Sequence, residues 1–447
     1  MSGRRIGWPG IVRLGLVQAA LGAIVVLCTS TMNRVMQVEL MLPAILPGTL
    51  VALHYVLQVL RPRLGYGSDV SGRRVPWIIG GMALLAGGGV LAALATARME
   101  TNLAGGIALA VLAYTLIGIG VGAAGTSLLV LLAKRVDEVQ RPAAASVVWL
   151  MMILGIALTA GLGGKLLIPF SGARLIEVTA AVAALALAMT VLAVWNMEPA
   201  AEPAATPAVG AEKTTPPFPV AFRQVWAERE VRHFAVLVFV SMLAYSAQEL
   251  IIEPFAGAVF GLPPGESTQL IGVQHGGVLT GMILLALAGA ASARWRIGSL
   301  RSWMAVGCFA STAGLLAMAS AGSVGPAWPL ARSFFLLGTA NGFFCAAAIG
   351  AMMQLAGSGR PSREGVRMGL WGAAQALAFG LGSMAGSSAV DLARLLLGSP
   401  VAAYAVVFAA QAVLFLVAGV LSLRVGMTAG GTPAAEFVGA GKAGMQG

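Results

Sequence analysis

The sequence predicts an all-α membrane protein of about twelve transmembrane helices in two six-helix halves, and three observations predict it. Hydrophobic residues make up 58% of the 447-residue chain and charged residues only 10%, too little charge to cover a soluble protein of this length. Apolar runs of about 20 residues, long enough to cross a bilayer as a helix, recur along the chain. Weak similarities also relate the first six runs to the last six.

Helices are the expected form of these runs, because lipid offers no partner for an unpaired backbone N–H or C=O group. The predicted helices cover residues 11–33, 41–60, 76–97, 103–131, 143–168, 174–196, 231–258, 267–293, 299–321, 326–355, 363–390 and 400–425. The resulting domains are an N-terminal six-helix half (1–196), a cytoplasmic linker rich in Pro, Ala and Thr (197–230), a C-terminal six-helix half (231–425) and a disordered Gly/Ala-rich tail (426–447).

Basic residues indicate the topology, because cytoplasmic loops carry an excess of Lys and Arg. With the N-terminus in the cytoplasm, only six of the 28 basic residues fall on the other side of the membrane. These six are Arg34, Arg98, Lys165, Arg174, Arg332 and Arg394. We therefore expect a bacterial inner (intracytoplasmic) membrane protein with both termini cytoplasmic. The net charge of +11 then reflects basic residues on the cytoplasmic side of the membrane, where they face lipid headgroups, and we expect no nucleic-acid partner.

The cysteines give no sign of a metal site. Cys28, Cys308 and Cys345 all lie in apolar runs, and their spacing matches no zinc motif. We expect these thiols only to pack, and we predict no metal site elsewhere in the chain.

The loop between the second and third helices carries a recognisable pattern. It contains Gly65, Asp69, Gly72, Arg73 and Arg74, with Val70 where a basic residue is usual. This resembles the loop signature of the major facilitator superfamily, whose fold consists of two six-helix halves. The glycines permit a tight turn, Asp69 can cap a helix start, and the two arginines can anchor the loop at lipid headgroups. A generic basic turn is the alternative interpretation.

Several polar residues near the periplasmic ends of helices 1 and 7 predict a gate or latch between the halves. A charge inside a membrane helix costs a few kcal/mol, so it usually has a partner or a function. Arg34 and Glu39 are five positions apart, about 140° around an α-helix, so we expect no bond between them. We expect Arg34, which follows Asn33, to pair with Glu249 or Glu253, and Glu39 to reach helix 7 or a neighbouring loop. Interfacial snorkelling of these charges is the alternative.

A narrower resemblance lies in residues 29–78. This stretch reads Thr29-Ser-Thr-Met-Asn33-Arg34-Val-Met-Gln-Val-Glu39-Leu and ends in Gly72-Arg73-Arg74-Val-Pro-Trp-Ile. It resembles the PucC/LhaA family, the bacteriochlorophyll-delivery branch of the major facilitators. The resemblance implies a role in light-harvesting complex assembly or in (bacterio)chlorophyll handling. It also implies light-harvesting or reaction-centre subunits, and a pigment synthase, as partners.

Two histidines are candidate pigment ligands in the light of this resemblance. His54 lies in helix 2 and His275 in helix 8, at roughly corresponding places in the two halves. A neutral imidazole can coordinate the magnesium of bound bacteriochlorophyll or of a precursor, and Gln58 and Gln274 could donate to a ring carbonyl. The competing interpretation is a buried histidine bonded to a neighbouring helix.

The sequence argues against an enzyme and leaves two functions open. Prenyl transfer to a chlorin needs paired aspartates for Mg-diphosphate, yet Asp69, Asp137 and Asp391 are far apart, and no P-loop or nucleophile elbow is present. We expect no catalytic residues. The first function is a membrane factor that binds or delivers pigment. The second is a proton-coupled transporter of a small or amphipathic solute, which the near absence of carboxylates in the predicted helix cores disfavours.

Overall fold

The computed structural model describes residues 6–61, 64, 73–137, 140–198, 226–295, 299–357 and 364–424. Within these residues the chain forms twelve main helices. They are α1 (Trp8–Glu39), α2 (Ile45–Leu57), α3 (Val75–Met99), α4 (Leu103–Arg135), α5 (Arg141–Leu166), α6 (Gly172–Val194), α7 (Arg229–Phe260), α8 (Pro264–Trp295), α9 (Leu300–Val324), α10 (Leu330–Gly357), α11 (Glu364–Leu397) and α12 (Pro400–Arg424). All except α2 are long and apolar enough to cross a membrane.

Local sequence signals set several helix ends. The side chains of Asn102, Ser171 and Ser299 each accept a hydrogen bond from a backbone N–H in the first turn of α4, α6 and α9. Gly261 ends α7 with a φ of +69°, a conformation that glycine adopts without steric strain. These polar and glycine positions are readable in the sequence, and they separate the apolar runs as predicted.

Helices 1 and 2 depart from the predicted boundaries. α1 continues to Glu39 instead of ending near residue 33, and α2 has 13 residues, followed by a short 3₁₀ turn to Leu60. The part of α1 beyond residue 33 is Arg34 and a wide helical turn, Val35–Glu39, described below. Two of the predicted regions, most of the linker and the tail after residue 424, lie outside the described residues.

The two halves repeat the same packing. In the first half α3 packs on α4 and α6, and α1 packs on α5 and α6. In the second half α9 packs on α10 and α12, and α7 packs on α11 and α12. Each half also has its own large cluster of buried apolar side chains. This correspondence supports the internal repeat seen in the sequence.

Two symmetry-related seams join the halves: α5 packs on α8, and α2 packs on α11. Small residues bring the backbones close at both seams. A Cβ on Gly164 of α5 would lie 2.6 Å from the Gly265 carbonyl oxygen of α8, and one on Gly48 of α2 would lie 2.3 Å from the Ser387 hydroxyl of α11. Without a hydrophobic force between helices in lipid, such close contacts provide much of the association. We call the end of the bundle with the α1–α2 and α7–α8 connections the distal end.

Candidate functional site at the seam between the halves

The distal part of α1 contains two π-helical turns, Leu27–Thr31 and Val35–Glu39. In such a turn a backbone N–H bonds to the carbonyl five residues earlier, as Leu40 does to Val35 at 3.0 Å. Each wide turn rotates the residues after it relative to a regular α-helix. This part of α1 buries five polar side chains, and most of them hydrogen-bond to residues of the second half. They are Ser30, Thr31, Asn33, Arg34 and Gln37.

Arg34 and Glu39 form an ion pair, so the sequence-based expectation that they could not meet is wrong. The expectation assumed regular α-helix geometry, in which five positions leave the side chains on different faces. The π-turn over Val35–Glu39 brings residues five apart onto one face. Arg34 is 1% exposed and also donates to the Leu262 carbonyl of the α7–α8 connection, whereas the Glu39 side chain is 38% exposed. Arg34 is therefore the partner of Glu39, in place of the expected bonds from Arg34 to Glu249 or Glu253 and from Glu39 to helix 7 or a neighbouring loop.

Glu253 lies at the contact of three helices and is fully buried. Its carboxylate bonds to the Ser30 hydroxyl of α1, to the Thr268 hydroxyl of α8 at 2.7 Å and to the Ser267 hydroxyl at 3.2 Å. A bond of 3.1 Å also joins Thr31 to Thr268. The predicted gate residue Glu253 therefore connects α1 of the first half with α7 and α8 of the second.

Asn33 makes the next contact between the halves. Its side-chain amide donates to the Leu250 carbonyl of α7 at 2.6 Å and accepts from Gln37 at 2.7 Å. The structure thus brings Asn33, Arg34 and Glu253 together at the distal end, as one continuous polar patch in the wall between the halves.

Glu249 belongs to a different site. Its carboxylate lies 3.2 Å from His275 Nε2 and accepts from the Tyr245 hydroxyl at 3.2 Å. The helix rises about 16 Å from Glu249 to the distal end of α7 at Phe260. The side chain of Glu249 is 30% exposed.

The two candidate histidine pairs differ in their hydrogen bonds. His275 has contacts at both ring nitrogens, since Nδ1 lies 3.0 Å from the Ile271 carbonyl and Nε2 contacts Glu249. Its predicted companion Gln274 does not join it: both polar atoms of that side chain are buried without a partner among the described residues. His54 and Gln58 do meet, with 3.3 Å between the Nε2 atoms of their side chains. Within the described part of the chain, His54 Nδ1 is buried with no hydrogen-bond partner.

Aromatic rings connect the two histidine sites across the seam. The ring of Tyr55, next to His54, lies 5.0 Å from that of Phe379 on α11, which lies 6.1 Å from that of Tyr245 on α7. The hydroxyl of Tyr245 bonds to Glu249. The seam therefore has an aromatic centre with a polar group at each side, which suits a flat amphipathic ligand better than a small polar one.

Asp391 of α11 is an interface residue that is not among the predicted site residues. Its two carboxylate oxygens accept from the backbone N–H groups of Ala44 and Ile45 at 2.8 and 2.7 Å. These N–H groups begin α2 and would otherwise lack partners, and the helix dipole favours a negative charge there. A lone carboxylate near the end of an apolar run is the only sequence signal for this contact.

The cytoplasmic loop signature is described only at its end. Gly65, Asp69 and Gly72 lie outside the described residues, whereas Arg73 and Arg74 lie within them. The backbone N–H of Arg74 donates to both carboxylate oxygens of Glu198, at 2.8 and 2.9 Å, and Val75 N–H donates to one of them. Glu198 follows α6, the last helix of the first half, so its carboxylate caps the start of α3 within the same half.

Comparison with solved structures defines the class of protein. The chain has a TM-score of 0.66 to the nucleoside transporter NupG, with 13% identity over 93% of this chain and 98% of that one. It has the same TM-score to the peptide transporter POT in complex with sulfate, with 17% identity over 95% of this chain and 96% of that one. The fold is therefore the twelve-helix major facilitator fold, as the sequence predicted.

Residues 31–429 match the family described as PUCC protein, and the chain belongs to that family. It is 50% identical, over 94% of its length and 96% of the relative's, to the bacteriochlorophyll synthase 44.5 kDa chain of Rhodobacter capsulatus. It is 29% identical to Protein PucC of Cereibacter sphaeroides, over 83% of this chain and 81% of that one. The family resemblance seen in residues 29–78 is confirmed, and a pigment-related role in the membrane follows from it.

Proposed function

We propose that this protein binds (bacterio)chlorophyll or a precursor in the membrane and delivers it during light-harvesting complex assembly or pigment synthesis, without catalysing a reaction itself. The observation that carries this proposal is the 50% identity, over nearly the whole of both chains, to a relative named as a bacteriochlorophyll synthase chain. The partners that fit are light-harvesting or reaction-centre subunits and the pigment synthase, with membrane lipid around the helices. The charge distribution supports an inner (intracytoplasmic) membrane location with both termini cytoplasmic, so that the distal end faces the periplasm.

The non-catalytic role has support from the residues that are present. Asp391, which prenyl transfer would need beside a second aspartate, instead caps α2. We therefore propose that the synthase activity in the relative's name belongs to a partner enzyme.

His54 is the best-supported pigment ligand of the predicted set. A ring nitrogen must offer a free lone pair to coordinate magnesium. His54 Nδ1, which has no hydrogen-bond partner among the described residues, offers one in the tautomer that carries the ring proton on Nε2, whereas His275 contacts neighbours through both nitrogens. The rings of Tyr55 and Phe379 beside it offer flat apolar surfaces for a macrocycle. His54 is only 1% exposed, so binding would require the helices around it to separate. The magnesium of a bound pigment would supply an open coordination position. The chain would supply the histidine nitrogen and the flat surfaces of the aromatic rings.

Purification from a phototrophic host followed by an absorption spectrum tests this function directly. We expect bound tetrapyrrole in the wild-type protein and a several-fold smaller amount in His54→Ala. His275→Ala should retain more pigment than His54→Ala, and His233→Ala, at the start of α7, is the matched control. A colourless wild-type protein, or equal pigment in all three variants, would contradict the proposal.

A secondary transporter of a small or amphipathic solute is the second candidate function, and the Glu249–His275 pair favours it. The pair lies inside the bundle, and 30% of the Glu249 side chain is exposed, so this carboxyl group is a titratable group of the kind that a proton-coupled carrier needs. Uptake of a solute into proteoliposomes under a pH gradient, lost in Glu249→Gln, would support transport. Tetrapyrrole binding without gradient-driven uptake would support delivery.

The distal contacts support a latch between the halves in either function. Arg34 and Glu39 form one part with the Leu262 carbonyl, and Asp391 on the start of α2 forms another. Opening the distal end would break both sets of bonds. Cysteine cross-linking of the exposed positions Met41 and Leu395 would report this movement, and we expect slower cross-linking in Asp391→Ala than in the wild type.

A further inference from the structure

The surroundings of Glu253 pose a charge problem. The residue is fully buried, yet every hydrogen-bonding partner of its carboxyl group is a neutral hydroxyl, on Ser30, Ser267 or Thr268. An ionised carboxylate taken out of water costs several kcal/mol unless a cation compensates it. The hydroxyls supply hydrogen bonds but no positive charge.

The nearest cation is already neutralised. Arg34 of α1 is in direct contact with the Glu39 carboxylate and donates its other terminal nitrogen to the Leu262 carbonyl. An ionised Glu253 would therefore leave one uncompensated negative charge in this buried region. The other charged or titratable side chains in the distal parts of the helices around it are Cys28 on α1, Lys165 on α5, Tyr245 and Glu249 on α7, Glu266 and His275 on α8, Asp391 and Arg394 on α11, and Tyr404 on α12. Of the two cations in this set, Lys165 has an exposed side chain, and Arg394 donates to Tyr404 at 3.1 Å.

Counting protons leads to the same conclusion. Five oxygen–oxygen contacts connect the Glu253 carboxyl group, its hydroxyl partners and the Pro264 carbonyl, but only four hydroxyl protons are available for them. The hydroxyls belong to Ser30, Thr31, Ser267 and Thr268. Ser267 is the one counted twice, at 3.0 Å from the Pro264 carbonyl and 3.2 Å from Glu253 Oε1. A proton on Glu253 Oε1 would donate to Ser267, whose own proton then goes to Pro264, and all five contacts become hydrogen bonds.

We propose that Glu253 is a proton-binding site at the distal seam, occupied as long as the two halves are closed there. The proton comes from water at the distal face and bonds to the carboxylate, which becomes a neutral acid. Because Ser30 of the first half and Ser267 and Thr268 of the second enclose this acid, its proton exchanges with water only when the seam opens. The site does not depend on what the protein carries.

Infrared difference spectroscopy on the purified full-length protein tests the proposal. We expect a carboxylic-acid C=O band at neutral pH that is lost in Glu253→Gln and unchanged in Glu266→Gln. Glu266 is a matched control, because it is exposed and adjacent to Ser267. The band should persist to a pH at which exposed carboxyl groups are fully ionised, and it should shift slowly in heavy water. A band that is absent from the wild type, or that remains in Glu253→Gln, would overturn the proposal.

A second variant keeps the test decisive if Glu253→Gln does not fold. Ser267→Ala removes the acceptor of the acid proton but leaves the carboxyl group, so the band should shift in frequency and not disappear. Ser241→Ala, a buried serine that bonds only to its own helix, should leave the band in place. Identical spectra for wild type, Ser267→Ala and Ser241→Ala would show that the band does not arise from this site.

Discussion

Glu249 and Glu253 lie one turn apart on α7 but have different surroundings. Glu253 is sealed at the distal end by hydroxyl groups from both halves. Glu249 lies deeper, has a histidine and a tyrosine as partners, and keeps 30% of its side chain exposed. The difference shows that one helix can place two carboxyl groups in separate environments: Glu253 bonds to hydroxyls of both halves, whereas Glu249 keeps part of its side chain accessible.

The largest expected effect is on stability, from removal of the sealed carboxyl group. Glu253→Ala leaves the hydroxyls of Ser30, Ser267 and Thr268 short of a partner and opens a small cavity, so we expect a loss of about 3 kcal/mol. Thermal melting of the detergent-purified protein measures it. The matched variant Glu249→Ala should cost about 1 kcal/mol, because its partners sit at 3.2 Å beside an accessible carboxylate. Equal losses would end the distinction between the two sites.

The cap on α2 should have the next largest effect. Asp391→Ala removes the acceptors of two backbone N–H groups at the start of α2, and we expect a loss of about 1–2 kcal/mol in thermal stability. Asp391→Asn keeps one oxygen and should lose roughly half as much. If both variants have the same melting temperature as the wild type, the Glu253 cluster holds the distal end together without help from the contact between α2 and α11.

Removal of one hydroxyl should have a smaller effect that still crosses the seam. Ser30→Ala deletes a hydrogen bond from α1 to Glu253, so we expect a loss of about 1 kcal/mol. The control is Ser241→Ala, whose hydroxyl bonds only to carbonyls of α7 and should cost a few tenths of a kcal/mol. A double variant with Glu253→Ala should show strong non-additivity, and additive losses would argue against a shared network.

The smallest expected effect on stability is that of Glu249→Gln. The amide keeps an acceptor for Tyr245, so we expect a change within about 0.5 kcal/mol. Ligand handling should change more: pigment retention or gradient-driven uptake should fall several-fold while the melting temperature stays near that of the wild type. A fall in stability with unchanged ligand handling would place Glu249 with Glu253 as a structural residue.

The sequence predicted the helices and the repeat well because both depend on local composition. Apolar runs, capping residues such as Asn102 and Ser171, and the charge distribution between runs are all short-range signals. The family resemblance in residues 29–78 was confirmed because its polar pattern within an apolar helix is unusual. Asn33, Arg34 and Glu253 lie at the same distal contact between the halves, but the expected pairing of Arg34 with Glu249 or Glu253 does not form, and the gate itself stays a prediction.

The partners depended on features with no local signal. The bond between Arg34 and Glu39 required a π-turn, and the sequence does not distinguish that turn from a regular helical one. His275 was expected beside Gln274 as a ligand, yet its partner is Glu249 on a neighbouring helix. Asp391 caps a helix that begins more than 300 residues away in the chain, so only the packing of α11 on α2 reveals its role.

The sequence by itself therefore determined what kind of protein this is: a two-half helical membrane bundle of a pigment-related family. Composition and helix period decide that outcome because each apolar run must pair the N–H and C=O groups of its own backbone when it lies in lipid. The tertiary structure alone decided which polar groups meet. Hydrogen bonds between helices depend on the rotation and depth of each helix, and those are set by contacts between residues hundreds of positions apart.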